Sequence, residues 1–126
     1  MTTAPVHILV VDDNQELLET LCIILSRHAY KVTAKNRAAD LVSEIREIQP
    51  DLIIMDKNLG WGDGCCLCAI IKKDTTLNHI PVIMLSAYHS IKETCMLAGS
   101  DTFLSKPFEM AELLQSIQFL TAVKKI

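Results

Sequence analysis

Polar side chains that could do chemistry stand at the ends of four apolar runs of this chain. They are Asp12 and Asp13 after residues 8–11, Asp56 after 52–55, Ser86 after 82–85 and Lys106 after 102–105. If the four runs are parallel strands of one sheet, these groups meet at its carboxyl edge, where open α/β sheets bind their ligands. Three carboxylates, a hydroxyl and an ammonium in one place suit a metal ion and a phosphoryl group.

The three carboxylates favour a bound cation. Carboxylates this close repel one another, and a divalent cation would relieve that repulsion. Oxygen ligands favour Mg²⁺, or alternatively Mn²⁺, usually held by one or two carboxylates together with water and phosphate. A carboxylate at such a site can accept a phosphoryl group as an acyl phosphate, while the Lys106 ammonium and the Ser86 hydroxyl neutralise phosphoryl oxygens.

Each of these residues has an ordinary structural explanation when it is taken alone. Two aspartates after a strand often cap a helix, a serine there makes a turn, and Lys-Pro often precedes a helix. Their joint occurrence at four strand ends of one short chain favours the functional interpretation.

The elements that must position these groups alternate along the chain. Apolar runs predict strands over 7–11, 31–35, 51–55, 81–85 and 102–105. Apolar stripes at helical spacing predict helices after Asn14, over 41–48, from Cys65 to Lys72, over 91–98 with Gly99 as the end, and over 110–120.

This alternation predicts an α/β fold, a doubly wound five-stranded parallel sheet of the flavodoxin-like kind covered by five helices. The strand order 2-1-3-4-5 centres the two most apolar strands, the first and the third. Because that order makes the two strands neighbours, it also brings Asp12, Asp13 and Asp56 together.

Length and charge narrow the class of protein. The 126 residues, half of them hydrophobic, suit one compact domain. The formal net charge of −3 and the absence of a Lys/Arg cluster argue against direct nucleic-acid binding. The start of the chain has no signal-peptide pattern, and no apolar run approaches the roughly 20 residues of a membrane span. We therefore expect a cytoplasmic protein without membrane contact.

The chain carries five cysteines, which are Cys22, Cys65, Cys66, Cys68 and Cys95. An odd count without a secretory signal argues against a disulfide framework. The cluster over 65–68 suggests a metal site, but its spacing is not Cys-x-x-Cys and no second ligand pair follows at zinc-finger distance. Packing of small side chains on a helix is the favoured interpretation, and a redox role for exposed members stays open.

The strand-end residues lie in four segments that resemble one known family. The chain is similar, over nearly its whole length, to the CheY-like receiver domain of two-component response regulators. The matching segments are 9–14 (LVVDDN), 50–56 (PDLIIMD), 81–87 (PVIMLSA) and 99–108 (GSDTFLSKPF). Their order and intervals make the resemblance specific. Residues 1–126 are then expected to be a single receiver domain with no output domain.

The resemblance implies a phosphoacceptor and a metal site. Asp56 is implied as the residue that becomes an aspartyl phosphate. The implied Mg²⁺ ligands are Asp12, Asp13, Asp56 and the backbone carbonyl of Asn58.

The resemblance also implies residues that act on the phosphoryl group. The implied phosphoryl-binding residues are Ser86, Ala87 and Lys106. Ser86 and Phe103 are implied as the switch residues, and the positions of Asn58 and Tyr88 tune dephosphorylation in this family. The Lys106–Pro107 bond is expected to be cis, an isomer that proline makes accessible.

Several positions depart from the usual family pattern. Gly60 stands where the family usually has Pro, and the next residue, Trp61, is interpreted as a packed lid or alternatively as a partner contact, with the lid favoured. The switch residue is Phe103 and not Tyr. The aromatic Tyr88 beside the expected water path could shield the acyl phosphate, which predicts a long phosphoryl lifetime.

The leading functional hypothesis is a phosphorylation-controlled switch of a two-component phosphorelay. A histidine kinase or a histidine phosphotransfer protein donates to Asp56, and the face of the fourth helix, fifth strand and fifth helix binds a target protein. The protein is then no classical enzyme, although it assists its own phosphorylation and dephosphorylation. The resemblance also allows a phosphorylation-dependent homodimer.

Two alternatives stay open. A phosphorylation-silent, constitutive interaction module would show the loss of an acid or of the lysine, and neither is lost. A haloacid-dehalogenase-like phosphatase usually carries a second Asp two residues after its nucleophile, where this chain has Asn58, and the chain is short for a cap. Whether the receiver stands alone or belongs to a longer protein is left open, as are its kinase, target and oligomeric state.

Overall fold

Five parallel strands form one sheet. The computed structural model describes residues 4–124. The strands are β1 (His7–Val11), β2 (Lys31–Lys35), β3 (Leu52–Asp56), β4 (Val82–Ser86) and β5 (Thr102–Ser105). They pair in the order β2-β1-β3-β4-β5, each pair parallel. The predicted fold class and strand order are confirmed.

Five helices accompany the strands: α1 (Gln15–Arg27), α2 (Leu41–Ile48), α3 (Gly64–Lys73), α4 (Lys92–Leu97) and α5 (Met110–Lys124). A single turn of 3₁₀-helix, His89–Ile91, precedes α4. The predicted fourth helix over 91–98 is therefore too long, because Ile91 belongs to this tighter turn. Gly99 follows the end of α4 with a φ of +103°, a conformation that glycine adopts without strain. Within residues 4–124, no helix is both long and apolar enough to cross a bilayer.

The sheet separates two hydrophobic layers, because successive side chains of a strand point to opposite faces. The face that carries Leu9 and Ile53 packs against α2, α3 and α4. The opposite face, which carries Ile8 and Ile54, packs against α1 and α5. Every residue of β3 and β4 is buried, as expected for strands covered on both sides.

The strand register places the carboxyl ends of the strands side by side. The last register pairs are Val11 with Met55, Asp56 with Leu85, and Ser86 with Ser105. Because Asp12 follows β1 and Lys106 follows β5, both residues extend from the edge at which Asp56 ends β3. The fold thus gathers the predicted site at one edge of the sheet.

Side-chain caps set where the helices next to this edge begin. Asn14 Oδ1 accepts the backbone N–H of Leu17 (3.1 Å) at the start of α1, as the position of Asn14 predicted. Asp63 Oδ1 accepts the backbone N–H groups of Cys65 (2.8 Å) and Cys66 (3.3 Å) at the start of α3. Both helices therefore start close to the loops that carry the candidate site.

Candidate functional site

Asp12 and Asp56 meet at the ammonium group of Lys106. Lys106 Nζ donates to Asp12 Oδ2 (2.9 Å) and also to Asp56 Oδ2. Asp12 is fully buried, and Asp56 is only 7 % exposed. The three residues lie at or just after the ends of three different strands, so the contact exists only in the folded sheet. Two of the predicted carboxylates and the predicted ammonium form one largely buried charged cluster.

Backbone amides hold the second oxygen of each carboxylate. The N–H of Asn14 donates to Asp12 Oδ1 (2.9 Å), and the N–H of Asn58 donates to Asp56 Oδ1 (2.7 Å). In both cases the donor lies two residues after the acid, the local turn that Asp side chains commonly make. Each carboxylate is therefore oriented on one side by its own loop and on the other by Lys106.

Burial and charge act in opposite directions on this cluster. Burial raises the pKa of Asp56, and the nearby Asp12 adds to the rise, against hydrogen bonds from Lys106 and the Asn58 amide that lower it. Burial would lower the pKa of Lys106, but its bonds to Asp56 and Asp12 outweigh burial and raise it. Lys106 therefore stays a cation, and one positive charge faces two carboxylates. This surplus of negative charge among oxygen donors fits a divalent cation.

Asp13 and Asn58 lie at the solvent side of the same edge. Asp13 is exposed, and its Oδ2 would be 3.1 Å from a Cβ atom built on Gly60. Asn58 is also exposed, and its Oδ1 accepts the N–H of Gly60 (3.3 Å). Across the described residues, no three His, Cys, Asp or Glu side chains converge closely enough to hold a metal by themselves. Asp13 thus stands apart from the two acids that Lys106 joins.

The loop after Asp56 (residues 57–63, the β3–α3 loop) is closed by Gly64. A Cβ atom on Gly64 would lie 2.2 Å from the Asp56 carbonyl oxygen, which leaves room only for glycine. The Gly64 N–H donates to the Lys57 carbonyl (2.7 Å), and Lys57 Nζ pairs with Asp63 (2.9 Å). The helix predicted from Cys65 begins one residue earlier, at Gly64, and no sequence signal singled out Gly64 as the residue packed on the Asp56 backbone.

Ser86 lies at the end of β4 and organises the next loop. Its side chain is buried, and its Oγ accepts the N–H of Tyr88 (3.0 Å). Its carbonyl accepts the N–H of Lys106 (2.7 Å), which ties the loop after β4 to the loop after β5. Ala87 and the side chain of Tyr88 are exposed. The hydroxyl at this edge is therefore present where the strand pattern predicted it.

Phe103 is nearly buried on β5 and touches a histidine that the strand-end pattern did not select. The rings of His89 and Phe103 meet edge to face with centroids 6.1 Å apart. His89 Nδ1 also lies 3.0 Å from Ser105 Oγ. His89 comes from the 3₁₀-turn before α4, so it joins that turn to β5. Its 14 residues of separation from Phe103 carry no periodic signal that would reveal the contact.

The segment after Lys106 borders an open groove. The Lys106–Pro107 peptide bond is cis, the isomer that the family resemblance implied. The groove has a volume of about 480 Å³ and is lined by Asn14, Leu17, Ala87, Lys106, Pro107, Phe108 and Met110. It provides an approach to the charged cluster from the side of α1 and α5.

Trp61 and the buried cysteines pack in the layer between the sheet and α2–α4. The indole Nε1–H of Trp61 donates to the Asn36 carbonyl (2.9 Å), and the ring packs against the core on the α2–α4 side. This agrees with the packed-lid interpretation of Trp61. Cys65 and Cys68 are buried in the same layer, as the packing interpretation predicted, whereas Cys66 is exposed.

Comparison with known proteins identifies the relatives of this chain. The family model described as response regulator receiver domain matches residues 8–118. The heme response regulator HssR of Staphylococcus saprophyticus is 35% identical over 112 residues, which are 87% of this chain and 49% of that protein. The transcriptional regulatory protein GltR of Pseudomonas aeruginosa is 37% identical over 115 residues, 90% of this chain and 48% of that protein. The chain spans about half the length of these curated relatives.

Solved structures show the same architecture. A response regulator from Chloroflexus aurantiacus superposes with a TM-score of 0.87 at 29% identity, covering 94% of this chain and 98% of that one. The N-terminal domain of the nisin resistance regulator NsrR gives a TM-score of 0.80 at 31% identity, covering 91% and 97%. CheY4 of Vibrio cholerae, at 22% identity and a TM-score of 0.83 over 92% and 98% of the two chains, shares the fold.

Proposed function

Because this chain belongs to the response regulator receiver domain family, we propose that Asp56 is its phosphoacceptor and that phosphorylation switches a protein-binding surface. The observation that carries this proposal is the buried cluster of Asp12, Asp56 and Lys106 at the carboxyl edge of the sheet. A buried nucleophilic carboxylate beside an ammonium group has the parts that phosphoryl transfer needs, namely alignment and charge neutralisation.

In the proposed reaction an Asp56 carboxylate oxygen attacks the phosphorus of a phosphohistidine on a histidine kinase or a histidine phosphotransfer protein. A P–O bond to Asp56 forms as the P–N bond breaks, and its electron pair stays on the imidazole nitrogen of the donor. Lys106 then exchanges its bond to Asp56 for a bond to a phosphoryl oxygen. The Ser86 hydroxyl and the Ala87 amide donate to the remaining phosphoryl oxygens.

The proposed cofactor is Mg²⁺ or alternatively Mn²⁺, held by Asp12, Asp13, Asp56 and the backbone carbonyl of Asn58. When bound, it supplies positive charge to the phosphoryl oxygens during transfer. Such an ion usually takes only one or two carboxylates and completes its shell with water and phosphate. This coordination preference fits a site in which Asp12 and Asp56 are buried while Asp13 and Asn58 remain exposed.

The proposed switch runs from Ser86 to Phe103 and the helices beside it. Ser86 is bonded to the backbone of the loop that leads to the 3₁₀-turn, and that turn contacts Phe103 through His89. We propose that the face of α4, β5 and α5 binds the target protein. Leu97 on α4 and Phe119 on α5 are large apolar side chains exposed on these two helices. The same face is proposed for a phosphorylation-dependent homodimer.

Asn58 and Tyr88 are proposed to tune dephosphorylation, which the protein assists at its own site. Both residues are exposed beside the cluster, with Tyr88 two residues after Ser86. An aromatic ring there would limit the access of water to the acyl phosphate, so we expect a long phosphoryl lifetime. A half-life of seconds in the purified protein would contradict this.

The domain organisation, the cellular location and the partners of this chain stay predictions. We propose residues 1–126 as a single receiver domain that acts in the cytoplasm through protein contacts. The net charge of −3 gives it no electrostatic footprint for nucleic acid. The alternative of a silent module is not favoured, because Asp12, Asp56 and Lys106 are present and bonded to one another. The phosphatase alternative is not favoured either, since Asn58 stands where such enzymes usually carry a second Asp.

Intact mass after incubation with acetyl phosphate tests this function. We expect one added phosphoryl group that requires Mg²⁺ and is absent from Asp56→Asn. The matched control is Asp63→Asn in the same loop, because Asn is as good a helix cap as Asp, and this variant should still accept the group.

Absence of both phosphorylation and beryllofluoride binding would contradict the proposal. If the folded wild type gains no phosphoryl group and shows no Mg²⁺-dependent rise in melting temperature with beryllofluoride, Asp56 is no phosphoacceptor. The silent interaction module would then be the better description. A beryllofluoride complex without a phosphoryl adduct would point instead to an acyl phosphate that hydrolyses too fast to detect.

A further inference from the structure

Two buried cysteine side chains from different helices meet in the core. Cys65 on α3 and Cys95 on α4 place their Sγ atoms 2.8 Å apart. That separation is shorter than van der Waals contact between two sulfur atoms, and it exceeds a disulfide bond of about 2.05 Å by less than 1 Å. Both side chains are buried, so the two sulfur atoms meet inside the core.

The position of this pair connects two functional parts of the domain. Cys65 follows Gly64, whose Cα packs against the carbonyl of Asp56. Cys95 lies on α4, which continues from the 3₁₀-turn that begins after the Ser86 loop. A covalent bond between the two sulfur atoms would therefore join the helix after the proposed phosphoacceptor to the helix of the proposed target-binding face.

Access to the thiols requires a local opening. Burial, helped by the hydrogen bond with Cys65, raises the pKa of Cys95 to about 12, so its thiolate is rare at neutral pH. The helix α4 has only six residues, and Met96 and Leu97 on it are exposed. Short helices with exposed side chains open at lower free energy than the central strands do. Opening of α4 would expose Cys65 and Cys95 together.

We propose that Cys65 and Cys95 are a redox modification site that forms a reversible disulfide by exchange with a low-molecular-weight disulfide. The Cys65 thiolate attacks one sulfur atom of glutathione disulfide, forms a mixed disulfide and releases one glutathione. The Cys95 thiolate then attacks Cys65 Sγ and releases the second glutathione. In total the two protein thiols lose two protons and two electrons, and the glutathione disulfide becomes two glutathione molecules.

The expected consequence concerns the switch, and it rests on the proposed function. The bond would hold α4 against α3 and leave Asp56, Lys106 and their hydrogen bonds unchanged. Phosphorylation of Asp56 would therefore proceed in the oxidised protein, whereas movement of α4 would be restricted. Formation of the disulfide itself does not depend on the proposed function.

Thiol counting in glutathione buffers of increasing oxidation tests the inference. The protein is equilibrated in each buffer and then denatured in the presence of N-ethylmaleimide, which labels free thiols. The number of labels is read from the mass of the intact chain. In reducing buffer all five cysteines of the wild type should carry a label. In oxidising buffer we expect only three labels, and the mass should show no bound glutathione. Peptide mapping should identify the link between Cys65 and Cys95.

Single variants distinguish this pair from the other cysteines. Cys66→Ser, at the exposed neighbouring position, should still lose two labels. Cys65→Ser and Cys95→Ser should form no link between cysteines at any potential. Cys95→Ser should instead hold one glutathione on Cys65, because no second thiol is present to release it. Five labels in the oxidised wild type, glutathione adducts alone, or a mapped link between other cysteines would each overturn the proposal, and mapping of the wild type decides even if a variant fails to fold. Failure of acetyl phosphate to modify reduced and oxidised protein alike would instead count against the proposed function.

Discussion

The Lys106 ammonium group compensates the charge of two buried carboxylates at once. Its Nζ donates to Asp12 and to Asp56, and neither acid has appreciable contact with water. Removing one partner of a buried ion pair leaves an uncompensated charge, which is far more destabilising than the loss of a surface pair. Lys57 gives the contrast, since it pairs with Asp63 where both side chains are partly exposed.

Lys106→Met should lower the free energy of unfolding by about 3 kcal/mol in the absence of divalent cations. The physical reason is that Asp12 and Asp56 then face each other without the ammonium between them. Added Mg²⁺ should recover part of this loss, so the stabilisation by Mg²⁺ is expected to be larger in the variant than in the wild type. Urea denaturation with and without Mg²⁺ measures both quantities.

Lys57→Met is the matched control for this residue. Its ion pair with Asp63 is about 30–40% exposed, so the expected loss is below about 1 kcal/mol. The Mg²⁺ effect should equal that of the wild type. Equal losses in the two lysine variants, or an unchanged Mg²⁺ effect in Lys106→Met, would show that Lys106 does not hold the two acids.

The β3–α3 loop shows how an element positions the site. It leaves β3 at Asp56, and Gly64 closes it by packing against the Asp56 carbonyl and donating to the Lys57 carbonyl. Asp63 adds the cap of α3 and the pair with Lys57. The backbone of Asp56, the proposed phosphoacceptor, is thus fixed by the first residue of the following helix.

Gly64→Ala should destabilise the protein by about 3 kcal/mol, an overpacking effect at the upper end of the usual range. The new Cβ atom would lie 2.2 Å from the Asp56 carbonyl oxygen and 2.9 Å from the Cα of Lys57, and backbone atoms cannot move aside as a flexible side chain can. Phosphorylation by acetyl phosphate should fall as well, since relief of the clash displaces Asp56. Thermal denaturation and intact mass record the two effects.

Gly62→Ala, two residues earlier in the same loop, is the control. The nearest atom to its Cβ would be Leu67 Cδ1 at 3.9 Å, which is ordinary contact. Its stability should stay within about 0.5 kcal/mol of the wild type, with normal phosphorylation. A comparable loss in both variants would mean that the loop needs glycine for flexibility and that the contact with Asp56 is not the cause.

At the scale of the whole molecule, the layer between the sheet and α2–α4 contains three buried thiols, which are Cys65, Cys68 and Cys95. Three neighbouring groups change the pKa of Cys68: Lys72 lowers it, and Asp101 and Cys65 raise it. Burial raises the pKa of Cys68 to about 11 from its ordinary value of 9.0, and the lowering by Lys72 does not offset it. The core therefore favours the protonated thiol.

The free energy of unfolding should consequently fall at alkaline pH. The folded pKa of Cys68 lies above the unfolded one, so the native state keeps its proton when the unfolded chain loses it, and stability decreases as pH rises above 9.0. The contribution of Cys68 is about 1 kcal/mol between pH 9 and pH 10. Denaturation of Cys68→Ala under reducing conditions should show a slope with pH that is shallower by this amount.

The exposed Cys66 provides the comparison. Cys66→Ala should keep the slope of the wild type, because this side chain is not part of the buried layer. A slope in Cys68→Ala that matches the wild type would mean that the Cys68 thiolate is as well solvated in the fold as in the unfolded chain. The overall loss of stability from the cavity in Cys68→Ala does not affect this comparison, since only the slope is read.

Much of this architecture could be predicted from local patterns. Apolar runs that end in polar residues identified β1, β3, β4 and β5, and their alternation with helical stripes predicted the fold class. The strand order followed from placing the two most apolar strands at the centre of the sheet. Asp12, Asp56, Ser86 and Lys106 could be selected because each stands at or just after a strand end, and a parallel sheet brings such ends to one edge. The bounds of α4 were the weak point, because a 3₁₀-turn and an α-helix share nearly the same apolar spacing.

The sequence by itself determined the fold class and the set of residues at the carboxyl edge, because strand and helix periodicity and strand-end residues are local properties of a chain. The family followed from the resemblance of four segments to a known family. Only the tertiary structure decided that Lys106 joins Asp12 to Asp56 while Asp13 stands aside toward Gly60. It also decided that Cys65 meets Cys95 and that Gly64 packs on Asp56. These contacts depend on strand register, loop closure and the packing of helices on the sheet, and distances between side chains of different elements leave no periodic trace in a single sequence.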